Sequence, residues 1–156
     1  MKKIIEQIPR EILKKELNKD HFIRITRKGN NEIYIIDDKS APNVIQEIGR
    51  LREITFRASG GGTGESVDLD EYDHGPFAYK QLIVWSPEDE EIIGGYRFKK
   101  CHEAIDQDGT IHLSTTHYFD FNPTFVSDYL PNTIELGRSW VQPDFQPSNN
   151  PRKGLF

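Results

Sequence analysis

Two groups of charged side chains have the residue types and spacing that chemistry requires. In "FRASGGGTGESVDLDEYDHGPF", Phe56 to Phe77, five glycines between Gly60 and Gly75 accompany five carboxylates, Glu65, Asp68, Asp70, Glu71 and Asp73. Farther on, "ELGR" sets Glu135 three residues before Arg138 in an otherwise apolar run. Carboxylates in such numbers can attract an ammonium or accept a proton. A charge pair at ~4 Å is worth about 1 kcal/mol in water and ~4 kcal/mol at an effective dielectric of 20. Residues three apart on a strand point to opposite faces, so at least one of Glu135 and Arg138 is expected to enter a cleft or the core. The competing use is structural: Arg52, Arg97 and Arg138 pair with the carboxylates and tie helix to sheet.

Other chemistries fail on specific residues. A phosphate loop needs G-x-x-x-x-G-K-[ST] after a strand, whereas "GGGTGES" follows a helical pattern and carries Glu65 where the lysine belongs. A calcium loop counted from Asp68 has Tyr72 in its fifth place, Asp73 in its sixth and Tyr79 in its twelfth, so its ligand ladder breaks. His74, His102, His112 and His117 lack i, i+4 pairing and Cys101 has no partner at zinc spacing, so no metal site is expected. Ser59, Ser66 and Ser139 lack a G-x-S-x-G context, and Cys101 reads more simply as a strand-end thiol than as a nucleophile.

The elements that must position the charges are those of one domain, residues 1–156. A formal charge of -5 gives no field for holding nucleic acid. A single cysteine fits a reducing, cytoplasmic compartment, and "MKKIIEQIPREIL" is too interrupted by charge for a signal sequence. "REILKKELN" reads as a short helix after Pro9. "HFIRIT" and "NEIYIID" read as a hairpin around "RKGNN". "APNVIQEIGRLREITFRAS" is the clearest helix, with Ser40 as cap, Pro42 in the first turn and Val44, Ile48 and Leu51 on one stripe. "YKQLIVW" and "EEIIGGYRFKK" form a second hairpin around "SPEDE". "FNPTFVSDYLP" suggests a short helix and "TIELGRSWV" a last strand. The order predicts an α+β fold with a mainly antiparallel sheet flanked by helices.

"GRLREITFR", "DLDEYDHGPFAYKQLIVW", "IIGGYRF" and "ELGRSWVQPDFQ" together resemble, in order and spacing, the acyltransferases related to ornithine-lipid and glycine-lipid synthases. That group is often labelled hemolysin and lies in the GNAT superfamily beside the acyl-homoserine-lactone synthases. The resemblance runs from about Ile48 to the C-terminus. It implies a GNAT-like sheet and transfer of a fatty acyl group from a thioester, on acyl carrier protein or coenzyme A, to the amine of an amino acid or aminolipid precursor. No permanently bound cofactor is implied. Peripheral contact with the inner membrane would suit such a product.

Matched position by position, the resemblance assigns Arg52 and Phe56 to the first long helix, and Asp68, Asp70 and Asp73 to the acidic cluster. Arg97 falls at the end of the central hairpin, with Glu135 and Arg138 beside the donor cleft. Glu135 is the expected proton acceptor, directly or through a water, and a backbone amide of "RSWV" is expected to face the oxyanion. Asp70 and Asp73 would draw in the acceptor ammonium. Arg52, Arg97 and Arg138 would brace the carboxylates or bind the acceptor's carboxylate. Phe56 and Trp140 would line the acyl channel, Phe56 having core packing as the simpler role. Arg152, Lys153 and Gly154 stand where such folds receive the donor's phosphate. Since the pattern stops after "RKGLF", the chain is expected to be the front part of a longer protein, lacking the C-terminal part of the fold. The alternative class is a non-catalytic module that binds an acyl carrier or partner. Gly60–Gly64 is expected to be a mobile link, with Asp68–Asp73 as an acidic wall meeting Arg52 or Arg97.

Overall fold

One long helix sets the architecture. In a computed structural model describing residues 1–146, α1 (Arg10–Glu16) precedes β1 (Phe22–Ile25) and β2 (Glu32–Ile36). The long helix α2 (Pro42–Ala58) then leads to β3 (Lys80–Ser86), β4 (Glu91–Lys100) and β5 (Ile134–Val141). Proline is tolerated in the first turn of α2 because that N–H has no helical partner. Val44, Ile45, Ile48 and Leu51 form its buried stripe. Its N-terminus is not capped by Ser40, which closes a turn with Asp37 at 3.0 Å. Glu16 of α1 takes the free amides instead: Val44 N–H donates to it at 2.9 Å and the Asn43 side-chain amide at 2.6 Å. A carboxylate there also suits the positive end of the helix and fastens α1 to α2.

The strands form one antiparallel sheet in chain order β1-β2-β3-β4-β5, with α2 joining β2 to β3. Leu13, Ile36, Ile48, Ile83, Ile92 and Trp140 belong to the core between the helices and the sheet. A second cluster, including Tyr72, Tyr79, Leu113 and Leu130, lies under the segment between β4 and β5. That segment folds as short helical turns, among them Ser114–His117 and Phe125–Tyr129.

β5 departs from a regular strand. Gly95 faces Trp140 and Arg97 faces Gly137, so Arg138 and Ser139 together oppose Tyr96. This is a β-bulge, and Arg138 takes φ +51° within it. The left-handed region costs a residue with a β-carbon about 1–2 kcal/mol. Two glycines of β4 beside the bulge let it lie close to both neighbours: a β-carbon on Gly95 would lie 2.3 Å from the Leu82 carbonyl oxygen of β3, and one on Gly94 would lie 2.5 Å from that of Trp140 in β5. The extra residue resets the alternation along β5. Glu135 and Arg138 consequently both reach groups clustered around Arg97, on the side of the sheet packed against α2. Opposite faces were expected from an unbroken two-residue period, and the bulge breaks that period.

Candidate functional site

Arg52 lies on the flank of α2 that faces the acidic segment. Gly49, one turn earlier, lets that segment approach: a β-carbon there would lie 2.6 Å from Leu69 Cγ, and the Gly49 carbonyl accepts the Asp68 N–H at 3.0 Å. Arg52 then donates to both oxygens of Asp73, at 3.0 and 2.8 Å, with neither side chain exposed. Asp73 also accepts from the Gln81 side chain at 2.8 Å, the Asp70 N–H at 3.0 Å and Arg97 at 3.2 Å. All its acceptor directions are thus engaged by protein, so drawing in an ammonium falls to its neighbours.

Arg97 projects from β4 into the same network. Its Nη1 donates to Asp70 at 2.5 Å, and its guanidinium lies 5.4 Å from the Tyr72 ring centroid and 5.2 Å from that of Tyr79. Burial would push the Asp70 carboxyl up. The Arg97 hydrogen bond and charge, the Tyr72 N–H and the Arg138 charge outweigh it and hold the group below its ordinary range. Burial would likewise lower the Arg97 guanidinium, but Asp70 and Asp73 raise it, so Arg97 is a fixed cation. Arg138 Nη2 stands 3.2 Å from Asp70 Oδ2 and 3.4 Å from Asp68 Oδ1.

Glu135 occupies the other end of the site. Its carboxylate accepts from the Tyr79 hydroxyl at 2.9 Å and from the hydroxyls of Ser114 and Thr115. The Tyr79 oxygen in turn accepts the Ser114 N–H at 2.9 Å. Burial first, then the Glu135 hydrogen bond and charge, push the Tyr79 phenol far up, so it is a donor across the working pH range. Cross-strand from Glu135, Lys99 is buried with Nζ donating to the Ala78 carbonyl at 3.2 Å, and burial lowers its ammonium. Tyr72 pairs with His117 Nε2 at 2.7 Å.

The glycine segment is tied down, contrary to the expected mobile link. Gly61 N–H donates to the Phe56 carbonyl at 2.8 Å, and Thr63 N–H and Gly64 N–H donate to Glu53 at 3.0 and 2.8 Å. Burial would raise the Glu53 carboxyl, but hydrogen bonds from Thr63, Arg57 and Gly64 pull it down to about 2. Glu53, one helical turn before Arg57, thus holds the Thr63–Gly64 end of the segment, while Gly60 and Gly61 close back onto the carbonyls of Arg57 and Phe56.

The sequence-derived candidates therefore separate into groups. Arg52, Asp68, Asp70, Asp73, Arg97 and Arg138 form one network, and Glu135 joins it through Tyr79, whose ring lies under Arg97. Phe56 packs partly buried against the main core. Trp140 belongs to the same core, and it also borders a groove of about 210 Å³ with Leu82, Val84, Tyr96, Ser139 and Val141. Arg152, Lys153 and Gly154 lie outside the described residues. Among those described, no group of His, Cys, Asp and Glu is arranged to hold a metal, and no helix is long and apolar enough to cross a membrane. Sequence reasoning missed Tyr79, Gln81, Ser114 and Thr115. Gln81 had a signal, since it alternates with Ile83 and Trp85 as the one polar residue on the inward face of β3. Ser114 and Thr115 had none.

Comparison with known proteins shows the family to which the chain belongs. Residues 51–153 match the family described as acetyltransferase (GNAT) domain. Over 157 aligned positions, the chain is 54% identical to a glycine N(alpha)-acyltransferase of Bacteroides thetaiotaomicron, covering 100% of this chain and 47% of that protein. It is 52% identical over 157 positions to a protein of the same name from Phocaeicola vulgatus, covering 100% and 48%. The chain thus spans about half the length of the curated relatives it matches. No solved structure matches it. The match begins inside α2 and takes in β3, β4, the bulged β5 and every charged member of the network, and on that ground the chain belongs to the acetyltransferase (GNAT) domain family.

Proposed function

We propose that this protein is an N-acyltransferase that moves a fatty acyl group from a thioester, carried on acyl carrier protein or coenzyme A, to the amine of a small amino acid. The observation that carries the reading is the bulge at Arg138, which turns Glu135 and Arg138 of β5 to the same side of the sheet, around Arg97, instead of to opposite faces. The name borne by both relatives makes glycine the acceptor to test first.

In this reading Glu135, aligned by Tyr79, Ser114 and Thr115, accepts a proton from the acceptor amine. The nitrogen attacks the thioester carbonyl to give a tetrahedral oxyanion, which collapses with loss of the C–S bond while Glu135 passes its proton to the departing sulfur. A backbone amide at the bulge is the donor for the oxyanion. Arg52 and Arg97 hold the acidic segment in register. The apolar groove over Leu82, Val84 and Val141 lies on the face of the sheet away from α2, reaches the bulge at Ser139, and offers a bed for the acyl chain there.

The test is to incubate the intact protein with glycine and a long-chain acyl thioester, on carrier protein or coenzyme A, and look by mass spectrometry for N-acylglycine. Product with either donor supports the reading and identifies the donor. Binding of the acyl carrier with no N-acylated amine formed would sink it in favour of a non-catalytic module.

A further inference from the structure

Among the described residues, four buried polar side-chain atoms have no hydrogen-bond partner: Arg52 Nε, Arg97 Nε and both carboxylate oxygens of Asp68. A buried carboxylate with neither oxygen hydrogen-bonded is costly. Asp68 is 1% exposed, and its nearest cationic nitrogens, Arg138 Nη2 at 3.4 Å and Arg52 Nε at 3.5 Å, stand beyond good hydrogen-bond length. The site has polar capacity that the protein itself does not fill.

Arg138 differs from the other two arginines. Its side chain is 37% exposed, against 0% for Arg52 and 4% for Arg97, and its backbone takes the left-handed conformation. One of its nitrogens, Nη2, is asked to serve Asp68 and Asp70 together, at 3.4 and 3.2 Å. A guanidinium presents its donors in a flat fork and meets two separate carboxylates poorly through one nitrogen. A primary ammonium carries three donors around one nitrogen and would meet both. The charges agree: Arg52, Arg97 and Arg138 balance Asp68, Asp70 and Asp73, so moving Arg138 away leaves room for one positive charge and frees one.

We propose that Arg138 is a placeholder for the acceptor's ammonium: an incoming α-amino acid displaces its guanidinium, seats its own ammonium between Asp68 and Asp70, and presents its carboxylate to the outward-turned Arg138. The inference rests on the N-acyltransferase reading above and adds how the acceptor is first recognised: the zwitterion docks in its charged form on Asp68 and Asp70, releases one proton to solvent, and reacts as the neutral amine once it turns toward Glu135. The ligand class is a small zwitterion. A simple amine gains the ammonium site but nothing from Arg138, and a simple carboxylic acid has nothing with which to replace Arg138 on Asp68.

The experiment uses the intact protein, calorimetric titration with glycine, methylamine and acetate, and acyl transfer to the two amines. Arg138→Gly removes the guanidinium and suits the positive φ, so it should fold; Arg138→Lys keeps a charge without the fork. The expected result is a preference of about 10- to 100-fold for glycine over methylamine in the wild type, as befits one charge-assisted pair. That ratio should collapse toward one in Arg138→Gly and recover in part in Arg138→Lys. A ratio unchanged in Arg138→Gly, equal binding of acetate and glycine by the wild type, or no glycine binding at all would overturn the placeholder. N-acylglycine formed with an unchanged ratio would remove the placeholder and leave the acyltransferase reading standing. The predicted ratios without N-acyl product from any thioester would do the reverse.

Discussion

Arg52 and Asp73 form a two-pronged ion pair, 3.0 and 2.8 Å, in which neither side chain is exposed to solvent. It joins α2 to the acidic segment and, through Gln81 and Arg97, to β3 and β4. Removing one partner leaves the other a buried charge with only its longer ion contact, Arg52 to Asp68 at 3.5 Å or Asp73 to Arg97 at 3.2 Å. Arg52→Ala or Asp73→Ala is therefore expected to cost about 3–5 kcal/mol, read as a lower denaturant midpoint in urea unfolding followed by circular dichroism. A loss under ~1 kcal/mol would show that water reaches the pair.

Glu53 makes stability depend on acid. Its carboxyl has a folded value of about 2 against an ordinary 4.5, so its contribution is complete above about pH 4.5 and fades as the pH falls toward 2. Glu53→Gln should flatten the decline of stability across that window. Amide exchange at Thr63 and Gly64, whose N–H groups Glu53 holds, should accelerate in the same variant. Unchanged exchange there would mean that the loop is fixed by other contacts.

Glu135 is partly buried, and three hydroxyls orient its carboxylate. Under the proposed mechanism, Glu135→Gln keeps the shape and removes the base, so kcat should fall by about 10²- to 10⁴-fold while the thermal midpoint moves little. Tyr79→Phe removes one of the three donors and should lower kcat less. Wild-type turnover in Glu135→Gln would assign the proton to another acceptor.

Gly95 is where the bulge meets the rest of the sheet. Gly95→Ala would place a β-carbon against the Leu82 carbonyl oxygen, a backbone atom that cannot turn aside. The expected loss of stability is about 1–3 kcal/mol, measured by chemical unfolding. Because β4 pairs with β5 at this point, the contacts of Arg138 with Asp68 and Asp70 should loosen too. Crystallography of the variant would show a shifted Arg138; an unmoved β5 would count against the coupling.

Much of the fold is legible in local sequence. Val44, Ile48 and Leu51 announce α2 through their spacing, and the runs around "RKGNN" and "SPEDE" announce two hairpins that the sheet contains. Both signals are short-range, set by how side chains alternate around a helix or across a strand. The helix cap was misread because Glu16, 27 residues before Asn43 in the chain, outcompetes Ser40 for the same amides. Likewise, a glycine-rich stretch reads as slack until Glu53 is seen to hold its N–H groups.

For the site, the sequence by itself determined the inventory: three aspartates at fixed spacing, the arginines to match them, and a glutamate and arginine on the last strand. Only the tertiary structure decided who meets whom. It spent Asp73 on Arg52, Arg97 and Gln81, left Asp68 buried without a hydrogen bond, and set Ser114 and Thr115 against Glu135 from a segment with no sequence signal. It also turned Glu135 and Arg138 to one side through a single extra residue in β5. The physical reason is the same in each case. Spacing fixes direction only within an unbroken helix or strand, whereas buried charges choose partners by desolvation and distance, which depend on the packing of the whole domain.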